Sequence, residues 1–423
     1  MSIWKSSLIV FLLTLLGRIS GYGRDFSISL FSGANQETDI AFLILTLPDL
    51  IINLILAGGL NSTIIPKLET LNIKDKKSIA GQIILLTGIL FIIISILISI
   101  NADYLLRLLA PGLQNISHQN NLLPLQIIVF ILPISAISGV INSILNSNNI
   151  FFLGALGSTI LNLSMIIFCI FGFLIFKISI IWSLIFGFIF GVITRFLLLL
   201  FFSYKYIKAY KIGDKSLLNF NLLKLFLGNF GFTTAIIIMP IISRSFASQI
   251  GEGSISLFSY SYKILNLPLA LIMGSFTTVL LPHISKKENL TQTKKIIKKV
   301  FYISLTLSVF AFLLTPFCVG LIFNQTSLNN NQVNILSEIT SKGFLFLMPM
   351  SLTTIYGIKY AAQRNTLPLF ICGSIMMSNL LFISPYFSKI WSLNGVITAY
   401  GLSYSLGAFF MFIWDNKYYK FTK

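Results

Sequence analysis

IWKSSLIVFLLTLLGRISGYGRDFSISLF, residues 3–31, is long enough to cross a bilayer once, and it carries Arg18 and Arg24 inside its apolar run. About 20 apolar residues suffice to span the hydrocarbon layer as a helix. A charge at that depth costs roughly 2.5 to 3.5 kcal/mol even on the lenient insertion scale, so it is retained where it has a partner or lines a substrate path. This stretch therefore sets both expectations for the chain: a helical membrane fold, and a functional site built on charge held within it.

The rest of the sequence extends the pattern. Of 423 residues, 56% are hydrophobic and 10% charged, with a mean hydropathy of +0.89, far from the balance of a soluble domain. The run Leu8 to Leu16 passes into Gly17-Arg18-Ile19-Ser20-Gly21 without a small-residue cleavage site, so it is expected to stay as the first span rather than leave as a signal peptide. Apolar stretches near 3–31, 38–65, 79–100, 122–146, 152–176, 178–202, 220–248, 254–282, 299–322, 338–361, 366–385 and 391–414 predict an all-α polytopic membrane protein of twelve spans.

Basic residues orient these spans. Lys67, Lys74, Lys76 and Lys77, then Lys205, Lys208, Lys211 and Lys215, then the lysines from Lys286 to Lys299 all follow even-numbered spans. Lys5, Arg364 and the tail lysines Lys417, Lys420 and Lys423 fall on the same side. The opposite loops hold Arg107, Lys177, Lys342 and Lys389. By the positive-inside rule both termini are expected in the cytoplasm. The net charge of +18 thus reads as a topology signal spread over short loops, and nucleic acid is not an expected partner.

An internal repeat divides the chain. Pro66 and Pro282, Pro133 and Pro349, Gly157 and Gly373, and Ser158 and Ser374 share one offset, with TIIPKL (63–68) facing VLLPHI (279–284). Six spans per half is an even number, so the halves run in the same direction, a plan used by transporters whose site lies between two rocking lobes. The expected lobes are residues 1–210 and 211–423, joined by the lysine-rich stretch 203–217.

Chemistry-bearing residues are few. Cys169, Cys318 and Cys372 form no CxxC pair, His118 and His283 lie in connecting segments, and no catalytic or phosphate-loop motif appears. A transporter without catalytic residues, metal or cofactor is expected, with coupling to membrane potential or to a monovalent cation. The charges within spans are Arg18, Arg24, Asp25, Asp39 and Asp49 in the first half, and Arg244, Lys263 and Lys359 in the second, with Arg195 near the end of span six; spans 7, 8, 9, 11 and 12 read as free of carboxylates.

Arg18 and Arg24 lie about 120° apart on a straight helix. Gly17, Gly21 and Gly23 surround them, so a hinge that bends or unwinds the helix could turn both guanidiniums to one cavity. The competing reading is that Arg24 pairs locally with Asp25 or Asp39. Lys263 sits mid-span in YSYKILNLP (260–268). Two arginines and a lysine suit a diphosphate, whose oxygens accept paired hydrogen bonds from guanidinium.

GRISGYGRD (17–25), TDIAFLILTLPDL (38–50), the Gly58 region leading to IIPKL (64–68), LNSNNIFFLGALGSTILNL (145–163), YSYKILNLP (260–268) and TVLLPHIS (278–285) resemble the MurJ/MviN lipid II flippases, within the multidrug/oligosaccharidyl-lipid/polysaccharide exporter superfamily. The resemblance implies a V-shaped, two-lobed bundle in the bacterial inner membrane. Its implied cargo is lipid II, the undecaprenyl-diphosphate-linked peptidoglycan precursor, carried across by alternating access beside membrane lipids and the cell-wall synthesis machinery. It casts Arg18 and Arg24 as diphosphate-contacting cations, with Lys263 standing where the family has an arginine, and Asp39 as a polar gating or pairing group; Asp25 and Asn53 are further candidates for gating or ion pairing. The chain departs from the family pattern where Ile52 replaces an arginine, Ala57 a glutamate before Gly58, and Asn266 an acidic residue. The sodium-site carboxylates of some relatives have no counterpart in spans 7 and 11, where Asn379 remains, with Thr398 nearby. Members also carry two spans beyond a twelfth, where this chain has WDNKYYKFTK (414–423). Three other readings stay open: a flippase for another polyprenyl-linked glycan, a cation-coupled small-molecule exporter using Asp25, Asp39 or Asp49, and a non-transporting membrane scaffold.

Overall fold

The computed structural model describes residues 3–52, 73–113, 119–148, 150–207, 220–285, 290–363 and 365–421, and these residues form no strand. Helix covers all or part of each of the twelve apolar stretches. The chain divides into two compact units, one of residues 1–108 and 114–227, the other of residues 109–113 and 228–423. The lobe boundary read from sequence, at 210/211, lies outside the described residues.

In the first unit, α1 (Ile3–Phe31) and α2 (Gln36–Ile52) are followed by α3 (Ile73–Ile100) and the short α4 (Ala102–Leu109). Then come α5 (Gln119–Val129), α6 (Leu132–Asn146), α7 (Phe152–Phe171) and α8 (Ile180–Ser203). α3 leaves Leu85, Leu86, Ile89, Ile92, Ile93 and Ile96 exposed. An exposed stripe this apolar has lipid as its natural solvent.

The helices approach closely through small residues. α1 lies along α7 and α7 along α8. Gly187 and Gly191 of α8 face the backbone of Met165 and Leu161 of α7, the small-residue contact that lets helices approach in a membrane. Gly17 of α1 plays the same part, since a Cβ there would collide with the Ser158 side chain of α7. Gly17→Ala is therefore expected to destabilise the protein by about 1 to 3 kcal/mol through overpacking. Adding Ser158→Gly should recover part of that, because the obstruction is a side chain; a thermal-stability comparison of the two variants in detergent measures both effects.

The second unit holds α9 (Phe220–Ser248) from Gly228 onward, α10 (Ser254–Ser285), α11 (Leu290–Phe323), α12 (Asn330–Phe344), α13 (Leu347–Ala362) and α14 (Leu367–Phe421). Non-helical backbone at Ser392 divides α14 into two arms, which correspond to spans 11 and 12. Gly395 there faces the Phe387 carbonyl at a distance that leaves no room for a side chain.

Each unit breaks its fourth span at the same place. α5 gives way to α6 through Phe130 and Ile131, whose N–H groups bond to Ile127 and Ile128 at 3.3 and 3.2 Å; α12 gives way to α13 through Leu345 and Phe346, which bond to Lys342 and Gly343 at 3.2 and 3.0 Å. Pro133 and Pro349 follow these breaks. Proline lacks an N–H and its ring crowds the preceding turn, so the chain tightens to three-residue bonds before restarting as helix. The repeat seen in sequence thus has a local structural counterpart in each unit.

Candidate functional site

α1 carries the first-unit site. It is an unbroken helix from Ile3 to Phe31, which corrects the expectation of an unwound turn at Gly17, Gly21 and Gly23. Packing against α7 explains the two glycines with close neighbours there: Gly17 meets Ser158, and a Cβ at Gly23 would stand 3.3 Å from Ile166. Absence of a side chain serves close approach in a regular helix, so glycine density alone does not require a kink.

On this continuous helix the two arginines have different surroundings. Arg18 is exposed. Arg24 is part-buried and donates through Nε to Asp25 Oδ1 at 2.8 Å, with Nη2 at 2.6 Å from the same oxygen. Its Nη1 donates to Asn162 Oδ1 on α7 at 3.4 Å, and Asn162 Nδ2 donates to the Gly17 carbonyl at 3.1 Å. The local Arg24–Asp25 pairing that competed with the shared-cavity reading is present. Asn162, a residue with no charge to mark it in sequence, ties Arg24 to the carbonyl preceding Arg18.

The connection between α1 and α2 is also pinned. Asp39 is fully buried in the first turn of α2, where a carboxylate is favoured by the N–H groups at a helix start. Asn35 Oδ1 accepts from the Thr38 N–H at 2.9 Å, and Glu37 Oε1 accepts from Ile180 N at the start of α8 at 3.0 Å. Asn53 lies outside the described residues, as do Ala57 and Gly58.

Lys263 belongs to the second unit, half-buried on α10. One turn earlier, Ser259 Oγ accepts from Arg244 Nε at 3.0 Å, which places Arg244 beside the face that carries Lys263, since residues four apart are neighbours on a helix. Adjacent on α10, Tyr262 stacks on Phe258 and packs edge-on to Tyr400. In sequence Arg244 stands out only as a charge within a span; its nearness to the Lys263 face comes from the contact of α9 with α10.

A second charged cluster was missed. Span 12 was read as ending at 414 and free of carboxylate; α14 instead continues to Phe421, and Asp415 is buried on it. Its Oδ1 pairs with Lys359 of α13 and accepts from the Tyr360 hydroxyl at 2.9 Å. Two buried opposite charges with a hydroxyl donor satisfy the desolvation rule for charges away from water. Among the described residues, no group of three or more His, Cys, Asp or Glu could hold a metal ion.

Comparison with known proteins places this architecture. The solved structure titled "Lipid II flippase MurJ, inward closed conformation" superposes with a TM-score of 0.84 at 22% identity, covering 97% of this chain and 87% of that one. An inward-facing multidrug resistance MATE transporter of the MOP superfamily gives 0.78 at 15% identity, with 97% of each chain covered. Both likenesses concern the fold. In sequence, the probable lipid II flippase MurJ of Buchnera aphidicola subsp. Baizongia pistaciae is 27% identical, over 97% of this chain and 82% of that protein. The protein of the same description from Thermotoga maritima is 22% identical, over 100% and 88%. The family model described as "Lipid II flippase MurJ" matches residues 28–423, nearly the whole chain, and the chain belongs to that family of membrane transporters.

Proposed function

We propose that this protein moves lipid II from the cytoplasmic to the outer leaflet of a bacterial inner membrane by alternating access. The family match over residues 28–423 carries this reading, and the cations held within the spans supply its chemistry. Arg18, Arg24 and Lys263 bind the diphosphate, with Asp25 and Asn162 holding the Arg24 guanidinium in place. The prenyl tail stays in lipid while the polar head group crosses. Arg244, placed beside the Lys263 face by its bond to Ser259, adds a second cation on the second unit.

The cycle is a change of accessibility between states of different affinity, and it breaks no bond. Membrane potential can assist it, at about 2.3 kcal/mol per charge per 100 mV crossed. Both termini lie in the cytoplasm, as the lysine-bearing loops indicate. Expression in a bacterium depleted of its own lipid II flippase tests the function: growth and cell shape are expected to recover. Good membrane expression without recovery would favour another polyprenyl-linked glycan as cargo, or a scaffold.

A further inference from the structure

Within the second unit, α11, α13 and the second arm of α14 enclose a cavity of about 650 Å³, within the range of roughly 300 to 1,000 Å³ common for small-molecule sites. Its origin is visible in the side chains. Ser405 and Ala408 of α14 and Pro349 of α13 are too small to fill the space between the helices, while Phe301, Leu352 and Phe412 wall it. Tyr302, Phe409 and Phe412, all lining residues, are more than half exposed. The cavity therefore opens sideways through an apolar rim.

One end is cationic. Lys294 and Lys298, one turn apart on α11, line it and are exposed, and Lys298 Nζ stands 5.9 Å from the Tyr302 ring centre. Asp415 lines the same region, but its charge is already met by Lys359 and by the Tyr360 hydroxyl. The two lysines bring positive charge to this end, which suits an anion. From Lys294 to Tyr302 the helix rises about 12 Å, so charge gives way to aromatic and aliphatic wall along the direction in which a lipid enters a leaflet.

We infer that this cavity is a binding site for an anionic phospholipid, one acyl chain lying against Phe301, Leu352 and Phe412 and the phosphate meeting Lys294 and Lys298. Charge complementarity at one end and an apolar groove with an exposed aromatic rim along the same helix together select this occupant. The site is separate from the cations proposed to bind the cargo and does not depend on them. A lipid resident there would bridge α11, α13 and α14 and stabilise the unit.

The test uses the full chain, purified in detergent and stripped of lipid, with thermal stability followed during titration with phosphatidylglycerol. Saturable stabilisation is expected, greater than with phosphatidylcholine. Lys294→Ala with Lys298→Ala should move the titration midpoint by roughly 10- to 100-fold, since each lysine near an anionic head group contributes about a half to one decade of affinity. Lys295→Ala with Lys299→Ala removes the same charge from residues outside the cavity lining and should leave the midpoint near that of the wild type. Ala408→Phe, which fills the groove, should abolish saturation; if that variant does not fold, the two lysine pairs decide. Equal effects of both lysine pairs, equal stabilisation by phosphatidylcholine, or stabilisation by inorganic phosphate alone would each overturn the assignment.

Discussion

Arg18→Ala is expected to abolish rescue of a flippase-depleted bacterium while leaving the protein folded and in the membrane. Arg18 is exposed on α1, so its removal leaves no buried group without a partner and the loss falls on the ligand. Losing a hydrogen bond to a charged phosphate costs about 1.5 to 3 kcal/mol, which weakens head-group binding roughly 10-fold or more. Arg24 needs a gentler change, because Asp25 is buried beside it and Arg24→Ala would strand that carboxylate. Arg24→Lys keeps the charge and removes the planar fork, and is expected to lower rescue while preserving membrane expression. Full rescue by both variants would remove these arginines from the diphosphate site.

The second large effect is structural. Lys359 and Asp415 are 4% and 7% exposed, so replacing either alone leaves a buried charge without its partner. Asp415→Ala or Lys359→Ala is expected to destabilise the protein by about 3 to 5 kcal/mol, seen as loss of monodisperse protein after mild heating in detergent. Lys359→Met combined with Asp415→Asn removes both charges while the amide oxygen keeps an acceptor for the Tyr360 hydroxyl, and should recover most of the lost stability. Single and double variants equal in stability would show the pair to be energetically silent. Loss of transport in a stable double variant would instead give the pair a part in the cycle.

These expectations show which features sequence carries and which it does not. The apolar helices were legible because lipid solvation imposes an apolar run on any helix that crosses a bilayer, and six of them among the described residues are long and apolar enough to do so; Pro133 and Pro349 were legible as a repeat but not as the breaks they follow. The Arg24–Asp25 pair was legible as a local alternative, since neighbours in sequence need no knowledge of the fold to meet. Asp415 was hidden because hydropathy falls after Trp414 while the helix continues to Phe421, and its partner Lys359 lies on another helix. Asn162 had no signal beyond being polar in an apolar run. Glycine density near Arg18 suggested flexibility, whereas Gly17 lies at a close contact with α7. The cavity beside Lys294 and Lys298 arises from small residues on two helices distant in sequence, a coincidence that no single-helix pattern displays.

The central claim is cargo movement across the membrane, and lipid II exposure at the outer face measures it most directly. In cells depleted of their own flippase and expressing this chain, an added enzyme that cleaves lipid II and cannot cross the membrane should degrade most of the pool. The same cells carrying Arg18→Ala should keep it protected. A pool that stays protected in cells with abundant wild-type protein would contradict the account.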